Sequence, residues 1–476
     1  MTLTGSKVVL DDATLDSFRV GLRGELLTTD AADYDDARAV WNAMIDKRPA
    51  LIVRCRGAAD VISAVNFARE HGLLLSVRGG GHSVAGTALC DGGVTIDLSL
   101  MRGIRVDPVG RTARAEPGLT WKELDHETLA FGLATTGGTV SSTGIAGLTL
   151  GGGLGWQMAR HGLTCDNLLS ADIITADGRL LTASPSQHED LFWAVRGGGG
   201  NFGIVTSFEY QLYPMESTIA GGMVLYPMEQ ARDVLRFYRG YSQNAPDDLT
   251  AFAGLLTTPD GHNVSAIIAA WFGPPDQAAQ QLEPLRKFGV PLADLIGQIP
   301  YGQLQTMFDA AAPPGLRRYW KSGYFPELPE DLIDTILKHA ATKTSPYSLI
   351  LFFHIHGKAA RMALDGTAFG ARTTQWDFEI IPQWQLAVED RQHIEWARGF
   401  WKEVEPFTKG VYVNLLGTDD GPTRVRAAYG RNYDRLVSIK SKYDPRNLFR
   451  VNNNISPSVE GPNQGMHPAA QRPGGG

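Results

Sequence analysis

The chain has 476 residues, with 44 Lys and Arg against 51 Asp and Glu, and its formal net charge is −7. Basic residues form no runs, which argues against the phosphate backbone of a nucleic acid as a partner. The length exceeds what one ordinary hydrophobic core holds, so we expect two domains, or one split domain with an insertion.

Cysteine usage and the N-terminus bear on the compartment. The three cysteines, Cys55, Cys90 and Cys165, are odd in number and far apart, so they form neither a disulfide framework nor a CxxC metal pair. The N-terminus lacks a charged segment followed by an apolar one, and no stretch is apolar for about 18 residues. We therefore expect a cytoplasmic protein without a membrane partner.

The first predicted elements lead into a glycine turn. Apolar spacing predicts a strand at 51–56, a helix at 58–71 and a strand at 73–77. The turn that follows consists of Arg78, Gly79, Gly80, Gly81, His82 and Ser83. Three consecutive glycines leave their backbone N–H groups open to an anion because no Cβ stands in the way. We interpret this turn as a loop that binds the phosphates of a dinucleotide and presents His82 to its ring system.

Capping-box spacing and glycine clusters mark the next elements. Thr120 with Glu123, and Ser186 with Glu189, predict helices that begin at Thr120 and Ser186. Small residues fill 135–155, so we expect a second ligand-facing surface made of backbone. A hairpin is predicted at 172–182 and a strand at 203–212.

The glycine cluster at 198–203 satisfies the expression GxGxxG. It lies between a predicted helix and a predicted strand, which is the reverse of the Rossmann order. No Walker lysine follows any glycine cluster. The sequence therefore predicts neither a Rossmann nucleotide site nor a P-loop.

From about residue 216 the glycines become fewer and the elements longer. Strands are predicted at 249–257, 263–272, 346–357 and 376–383, and helices at 229–243, 274–287, 327–341 and 389–404. This pattern indicates a sheet with helices on one face, inserted to carry substrate contacts. We predict domains at 1–215, 216–410 and 411–457, with a disordered tail at 458–476.

The inserted region carries the candidate chemistry. Alternation along 376–380 places Asp377 and Glu379 on one face, where a carboxylate in an apolar cavity would have a raised pKa and could act as a base. A solvated pair of carboxylates is the alternative. His354 and His356 share a face, but no third metal ligand is identifiable, so we predict no metal and leave a site-lining or structural role open. Tyr324, in an aromatic cluster, is a candidate substrate contact or a core residue.

Six motifs together resemble one family. They are RGGGHS at 78–83, TIDLS at 95–99, GGTVSSTGIAGLTLGGGLGW at 137–156, DLFWAVRGGGGNFGIVTSFEY at 190–210, YVN at 412–414 and NYDRLVSIKSKYDPRNLFRVNNNI at 432–455. The chain resembles the FAD-linked oxidases of the vanillyl-alcohol oxidase and p-cresol methylhydroxylase (PCMH) type, and among them the berberine bridge enzyme-like group. The resemblance implies an α+β fold. Its FAD-binding domain would have two subdomains, and its inserted substrate domain would be an antiparallel sheet covered by helices, with residues 411–457 returning to the FAD domain.

The resemblance also implies how the cofactor is held. It implies a covalent bond from His82 to the flavin, and only that one, because Val140 stands where many members have a second attaching cysteine. The motifs assign FAD contacts to Arg78, Gly79, Gly80, Gly81, His82, Ser83, Gly138, Thr143, Gly144, Gly147, Gly152, Gly153, Val205, Tyr412 and Asn414.

The implied reaction is an oxidation in two halves. Hydride passes from a carbon bearing O–H or N–H of a small organic substrate to flavin N5, and O2 then accepts the electrons and gives H2O2. Leu415 replaces the tyrosine of plant-type members, so Glu379 is the expected base. Tyr412 and Asn414 also belong to the expected catalytic set. Tyr324, His354 and Asp377 are candidate substrate contacts. The family position linked to oxygen access falls at about Thr143, a small residue, which favours an oxidase.

Three alternatives stay open. The chain could be a flavin dehydrogenase, an oxidative-cyclisation enzyme of secondary metabolism, or a flavin-binding protein without turnover. The substrate and the oligomeric state do not follow from the sequence.

Overall fold

The computed structural model describes residues 1–458. The predicted disordered tail therefore lies, apart from Ser458, outside the described residues. Within them the chain is a mixture of helices and three main sheets. The predicted domain boundaries remain predictions, and the sheets are described below in chain order.

The first sheet has four short strands in the order β1-β2-β4-β3, in which β1 is antiparallel to β2 and the other pairs are parallel. They are β1 Glu25–Thr28, β2 Leu51–Arg54, β3 Leu75–Arg78 and β4 Val94–Asp97. Helices α1 Asp12–Val20, α2 Tyr34–Arg38 and α3 Ala58–Glu70 lie beside it. The parallel strands are buried by apolar residues, as parallel sheets require. Because β3 ends at Arg78, the glycine turn stands at the carboxyl end of the sheet.

The second sheet is antiparallel, with the order β5-β6-β9-β7-β8. Its strands are β5 Ile104–Asp107, β6 Thr112–Ala115, β7 Leu168–Ile174, β8 Leu180–Ala183 and β9 Ile204–Gln211, and its helices are α4 Trp121–Leu129, α5 Ile145–Leu150, α6 Met158–His161 and α7 Glu189–Val195. The predicted hairpin is confirmed by the β7–β8 pairing. A small ladder pairs Leu133–Ala134 with Tyr213–Pro214.

One of the two predicted capping boxes is present. Thr120 caps α4, and both reciprocal hydrogen bonds with Glu123 form. The second prediction is wrong, because His188, in a left-handed conformation, precedes α7 and makes no side-chain cap. Ser186 instead lies in a turn, where its backbone N–H bonds Ser184.

The third sheet has eight strands and forms the insertion. They are β10 Thr218–Pro227, β11 Leu249–Thr257, β12 Asn263–Trp271, β13 Ala293–Asp294, β14 Gly297–Pro300, β15 Lys321–Phe325, β16 Leu349–Ile355 and β17 Gln375–Ile381. The order is β13-β10-β12-β11-β16-β17-β15, with β14 also pairing β10, and the pairs are antiparallel. A two-residue ladder joins Arg317–Arg318 to Gln383–Trp384.

Helices cover one face of this sheet, as the sequence predicted. They are α8 Ala231–Gln243, α9 Ala278–Lys287, α11 Glu330–Ala340 and α13 Asp390–Val404. Two short helices, α10 Tyr301–Gln305 and α12 Gly357–Arg361, lie nearer the glycine-rich region. The opposite face, which carries Leu351 and Phe353, packs toward Leu154 and Tyr412 of the rest of the chain. That face therefore forms one wall of any space between the insertion and the first two sheets.

The C-terminal segment returns to the first part of the chain through α14 Pro422–Tyr429 and α15 Tyr433–Tyr443. Lys440 and Asp444, both fully buried, form an ion pair at 2.6 Å. The ammonium of Lys440 also donates to the carbonyls of Asn201 and Phe449. These bonds hold the segment after α15 against the glycine cluster at 198–203.

Candidate active site

A cavity of about 380 Å³ lies between the glycine-rich segments and the uncovered face of the third sheet. Its walls come from the turn after β3, the tract around 138–148, the cluster at 199–205, strands β16 and β17, and residues 412–416 and 449–453. Residues far apart in sequence therefore meet around one space. Apolar side chains and glycine backbone dominate its surface, which is typical of a site for a large organic ligand.

The glycine turn packs backbone against backbone. A Cβ built on Gly80 would lie 2.5 Å from the Cα of Gly144, and Gly81 has a left-handed φ of +67°. Gly79, Gly80, Gly81, His82 and Ser83 all line the cavity. The structure does not bring Arg78 there: its guanidinium donates to the carbonyl of Ala37.

His82 is fixed from two sides. Its Nε2 lies 3.2 Å from the Oγ of Ser142, and its ring stacks on Trp41 with 4.1 Å between the centroids. Burial, and next the positive charge of Arg318, lower the pKa of His82 to about 3. The imidazole is therefore neutral at physiological pH, and a nitrogen lone pair is available for bonding.

The indole of Trp41 links His82 to Arg318, whose guanidinium carbon lies 3.7 Å from the Trp41 ring centre. Arg318 is buried and donates to the carbonyls of Trp41, Leu316 and Pro313 and to Gln383. The backbone N–H of Trp41 in turn donates to the Gly81 carbonyl. Sequence reasoning missed Trp41 and Arg318, because they lie about 40 and 240 residues from the turn and follow no motif.

The small-residue tract is split between two roles. Gly138, Thr143, Gly144 and Gly147 line the cavity, as does Val205 from β9. Gly152 and Gly153 do not. They have φ values of +120° and +88°, and a Cβ on them would collide with Phe369 and Thr164. Their lack of side chains serves the close packing behind the cavity.

Tyr412 and Asn414 stand together at the cavity wall. The Tyr412 hydroxyl accepts hydrogen bonds from the N–H of Gly153 at 3.0 Å and from the Asn414 amide at 2.8 Å. Burial raises the pKa of Tyr412. A neutral phenol that is already an acceptor is suited to positioning, with its own proton free to be donated. Leu415, adjacent in the chain, also lines the cavity.

Strand β17 presents its acidic face to the cavity side. Glu379 lines the cavity, and Asp377 lies behind it with no exposed surface. Tyr324 of β15 pairs directly with Asp377 in the ladder and is likewise buried. Burial is the first cause of the raised pKa of both carboxyl groups. The two acids are therefore not on a solvated strand face.

His354 does not reach the cavity. Pairing with Trp376 puts it on the helix-covered face of the sheet. There its ring stacks on His356 at 4.8 Å and lies tilted against Trp376 at 5.0 Å. The cavity side of β16 carries Leu349, Leu351 and Phe353 instead. In a strand buried on both faces, the sequence does not reveal which alternating set faces the ligand.

Among residues 1–458, no group of three or more His, Cys, Asp and Glu side chains could hold a metal ion. No helix in that range has the length and apolar character needed to cross a membrane. The predicted cytoplasmic location stays a prediction.

Comparison with known proteins agrees with this arrangement. A family model described as an FAD binding domain matches residues 49–184, and one described as berberine and berberine like matches residues 411–456. An FAD-linked oxidoreductase of Dictyostelium discoideum is 34% identical, covering 88% of this chain and 91% of its own. The (R)-6-hydroxynicotine oxidase of Paenarthrobacter nicotinovorans is 28% identical, covering 92% and 98%.

A solved structure matches nearly the whole chain. The crystal structure of 6-hydroxy-D-nicotine oxidase from Arthrobacter nicotinovorans superposes with a TM-score of 0.83 at 27% identity, covering 92% of this chain and 98% of its own. This match confirms the predicted α+β fold. The chain therefore belongs to the berberine bridge enzyme-like family of FAD-linked oxidoreductases, and FAD is its cofactor.

Proposed function

We propose that this enzyme is an oxidase that takes hydride from a carbon bearing O–H or N–H of a small organic substrate and passes the electrons to O2, giving H2O2. The proposal rests on the cavity, because His82 and Glu379 both line its wall. One is a neutral nucleophile suited to holding a flavin, and the other is a carboxyl group suited to proton transfer.

The cavity walls fit FAD. Apart from the adjoining chain and the backbone of α5, no atom of residues 1–458 lies within 4 Å of a Cβ built on Gly147 or Gly200, so both glycines leave room for a ligand to approach the backbone. Both belong to the cavity wall. Gly79, Gly80, Gly81 and Ser83 would hold the pyrophosphate. Gly138, Thr143, Gly144 and Val205 would follow the rest of the cofactor, and Tyr412 and Asn414 the edge of the ring.

A single covalent attachment through His82 is supported by the side chains around it. Its neutral imidazole is held by Ser142 and Trp41, so its orientation is set before the flavin arrives. Val140 lines the cavity, whereas the three cysteines are buried elsewhere and lie off its wall. A second bond through sulfur has no candidate among the cavity residues.

In the proposed reaction, bound FAD would accept the hydride and would then provide the electrons that reduce O2. Glu379 faces the substrate and takes the proton from its O–H or N–H. The apolar side chains of Trp320, Leu351 and Phe353 exclude water around the reacting carbon. Tyr412, fixed by Gly153 and Asn414, keeps the opposite wall in place.

The experiment is a visible spectrum of the purified protein before and after acid precipitation, for the wild type and for His82→Ala. We expect yellow colour to stay with the wild-type pellet and to be released from the variant. Colour released from both proteins would refute the covalent bond. Oxygen uptake with H2O2 formation during a screen of alcohols, sugars and amines tests the acceptor. Reduction of artificial dyes without oxygen uptake would identify a dehydrogenase instead.

A further inference from the structure

The two carboxyl groups of β17 are close neighbours on one face of the sheet. Residues directly opposite each other on neighbouring strands point to the same face of the sheet. The partners of Asp377 are Tyr324 and Phe353, and those of Glu379 are Ser322 and Leu351. Of the two acids only Glu379 reaches the cavity. Asp377 therefore stands directly behind the group that meets the substrate.

Within the described part of the chain, no group compensates a charge on this pair. Neither carboxylate oxygen of Asp377 has a hydrogen-bond partner there, and the hydroxyls of Tyr324 and Ser322 are also unpartnered. Among residues 1–458, no Lys, Arg or His nitrogen lies within 4.0 Å of either carboxylate; the ion pairs of that range involve other acids. Buried acids without a cation are rare, because each uncompensated charge costs several kcal/mol.

The titratable groups that face the pair are themselves neutral. They are Tyr324 from β15 and Tyr412 from the opposite wall, and burial raises the pKa of both phenols. Arg372 is occupied by Asp166 at 2.6 Å. Burial raises the pKa of Asp377, and burial together with the neighbouring Asp377 raises that of Glu379. Both acids therefore keep their protons at neutral pH unless a positive charge approaches them.

The cavity wall, like the surroundings of the acid pair, offers no positive charge from the residues that the structure describes. Of residues 1–458, no Lys or Arg contributes to it, and the titratable side chains that do are His82, Glu379, Tyr412 and Tyr429. His82 is neutral, so a negatively charged substrate group beside Glu379 would find no counter-ion on this wall. A positively charged group would find two acids able to ionise, within walls otherwise built of Trp320, Leu351 and Phe353.

We propose that Asp377 and Glu379 act as one acid pair, which releases a single proton when an organic ammonium group on an apolar body enters the cavity and then shares the remaining proton. This inference rests on the proposed function and narrows its substrate to amines. Glu379 contacts the ammonium group. Asp377 is a positioning residue, because its shared proton stabilises the carboxylate of Glu379.

The proton and electron balance follows from this arrangement. Binding of the ammonium form drives one proton from the pair to solvent. The singly charged pair then accepts the N–H proton, and the adjacent C–H bond breaks with its electron pair passing as hydride to FAD. The substrate leaves as an iminium ion, and O2 takes up the two electrons with two protons as H2O2. The pair is again doubly protonated and ready for the next cation.

The test is ligand binding to the flavin-loaded enzyme, measured by calorimetry and by perturbation of the flavin spectrum. Benzyltrimethylammonium is the probe because it has no proton of its own to lose, and benzylamine is compared with benzyl alcohol. We expect benzyltrimethylammonium to release about one proton per molecule bound, so its affinity rises about tenfold from pH 6 to pH 7. We expect benzylamine to bind at least tenfold more tightly than benzyl alcohol, whose affinity is independent of pH.

Variants separate the two residues. Glu379→Gln should abolish the preference for the cation. Asp377→Leu, which is similar in size, should weaken cation binding and shift its pH profile upward, whereas Asp377→Asn should restore much of the affinity because its amide can donate to Glu379. The matched control is Asp125→Asn, since Asp125 is also a fully buried acid without partners but lies off the cavity wall. It should leave both proton release and cation preference unchanged.

Two results would overturn the inference, and the wild type alone can give both. One is binding of benzyltrimethylammonium without proton release, and the other is equal affinity for benzylamine and benzyl alcohol. Oxidation of alcohols with H2O2 formation alongside equal affinities would refute the inference and leave the oxidase intact. If the flavin-loaded enzyme bound the cation with proton release but no substrate reduced its flavin, the proposed oxidase function would be refuted and the acid-pair inference would stand.

Discussion

Two glycine-to-alanine changes separate the structural and the cofactor-binding roles of the glycine-rich walls. In Gly80→Ala, the new Cβ would lie 2.5 Å from the Cα and 2.6 Å from the N of Gly144. Carbon atoms in contact prefer about 3.5–4.0 Å, so two backbone segments must separate by about 1 Å. Overpacking of this kind costs about 3 kcal/mol when neither side can rotate away. In Gly147→Ala, no atom of residues 1–458 outside α5 and the adjoining chain lies within 4 Å of the new Cβ.

The assay is thermal unfolding of flavin-free protein, produced under riboflavin limitation, together with the flavin content of protein produced with riboflavin. We expect Gly80→Ala to lower Tm by about 6 °C or more, given about 2–4 °C per kcal/mol for a domain of about 150–250 residues. We expect Gly147→Ala to keep or slightly raise Tm, because alanine favours helix α5 by about 1 kcal/mol, while its flavin content falls. A Gly80→Ala variant as stable as wild type, or a fully flavin-loaded Gly147→Ala, would refute the reasoning.

Two further predictions concern buried charges. Asp166→Ala leaves the fully buried Arg372 without its ion-pair partner; we expect a loss of about 3–5 kcal/mol, read as a fall in Tm that the exposed Asp247→Ala does not show. Burial raises the pKa of Asp125 to about 8. Because this carboxyl group ionises near pH 4 in the unfolded chain, the free energy of unfolding falls as pH rises from about 4 to 8. Asp125→Asn should therefore exceed the wild type in Tm at pH 8, with the difference vanishing near pH 4. A difference in Tm that is independent of pH would contradict the assigned state of Asp125.

The sequence alone predicted the elements that depend on local signals. Strand β11 has the predicted bounds, and α4 begins at its capping box because Thr120 and Glu123 bond each other within one turn. The alternation along β17 correctly grouped Asp377 and Glu379, since side chains on a strand repeat every second residue. Strand β10 was missed, because the composition of its segment carries no strong period.

Only the tertiary structure decided which side chains meet the cavity. Arg78 belongs to the glycine-turn motif, yet its guanidinium points to the carbonyl of Ala37. His354 belongs to a histidine pair on one strand face, yet it lies on the helix-covered side of the sheet. Trp41 and Arg318 belong to no motif, but the Arg318 guanidinium bonds the Trp41 carbonyl across 277 residues of sequence, and that contact holds the wall against His82. The reason is physical: periodicity and glycine content act over a few residues, whereas the charge and orientation of a buried group depend on whatever the folded chain brings next to it.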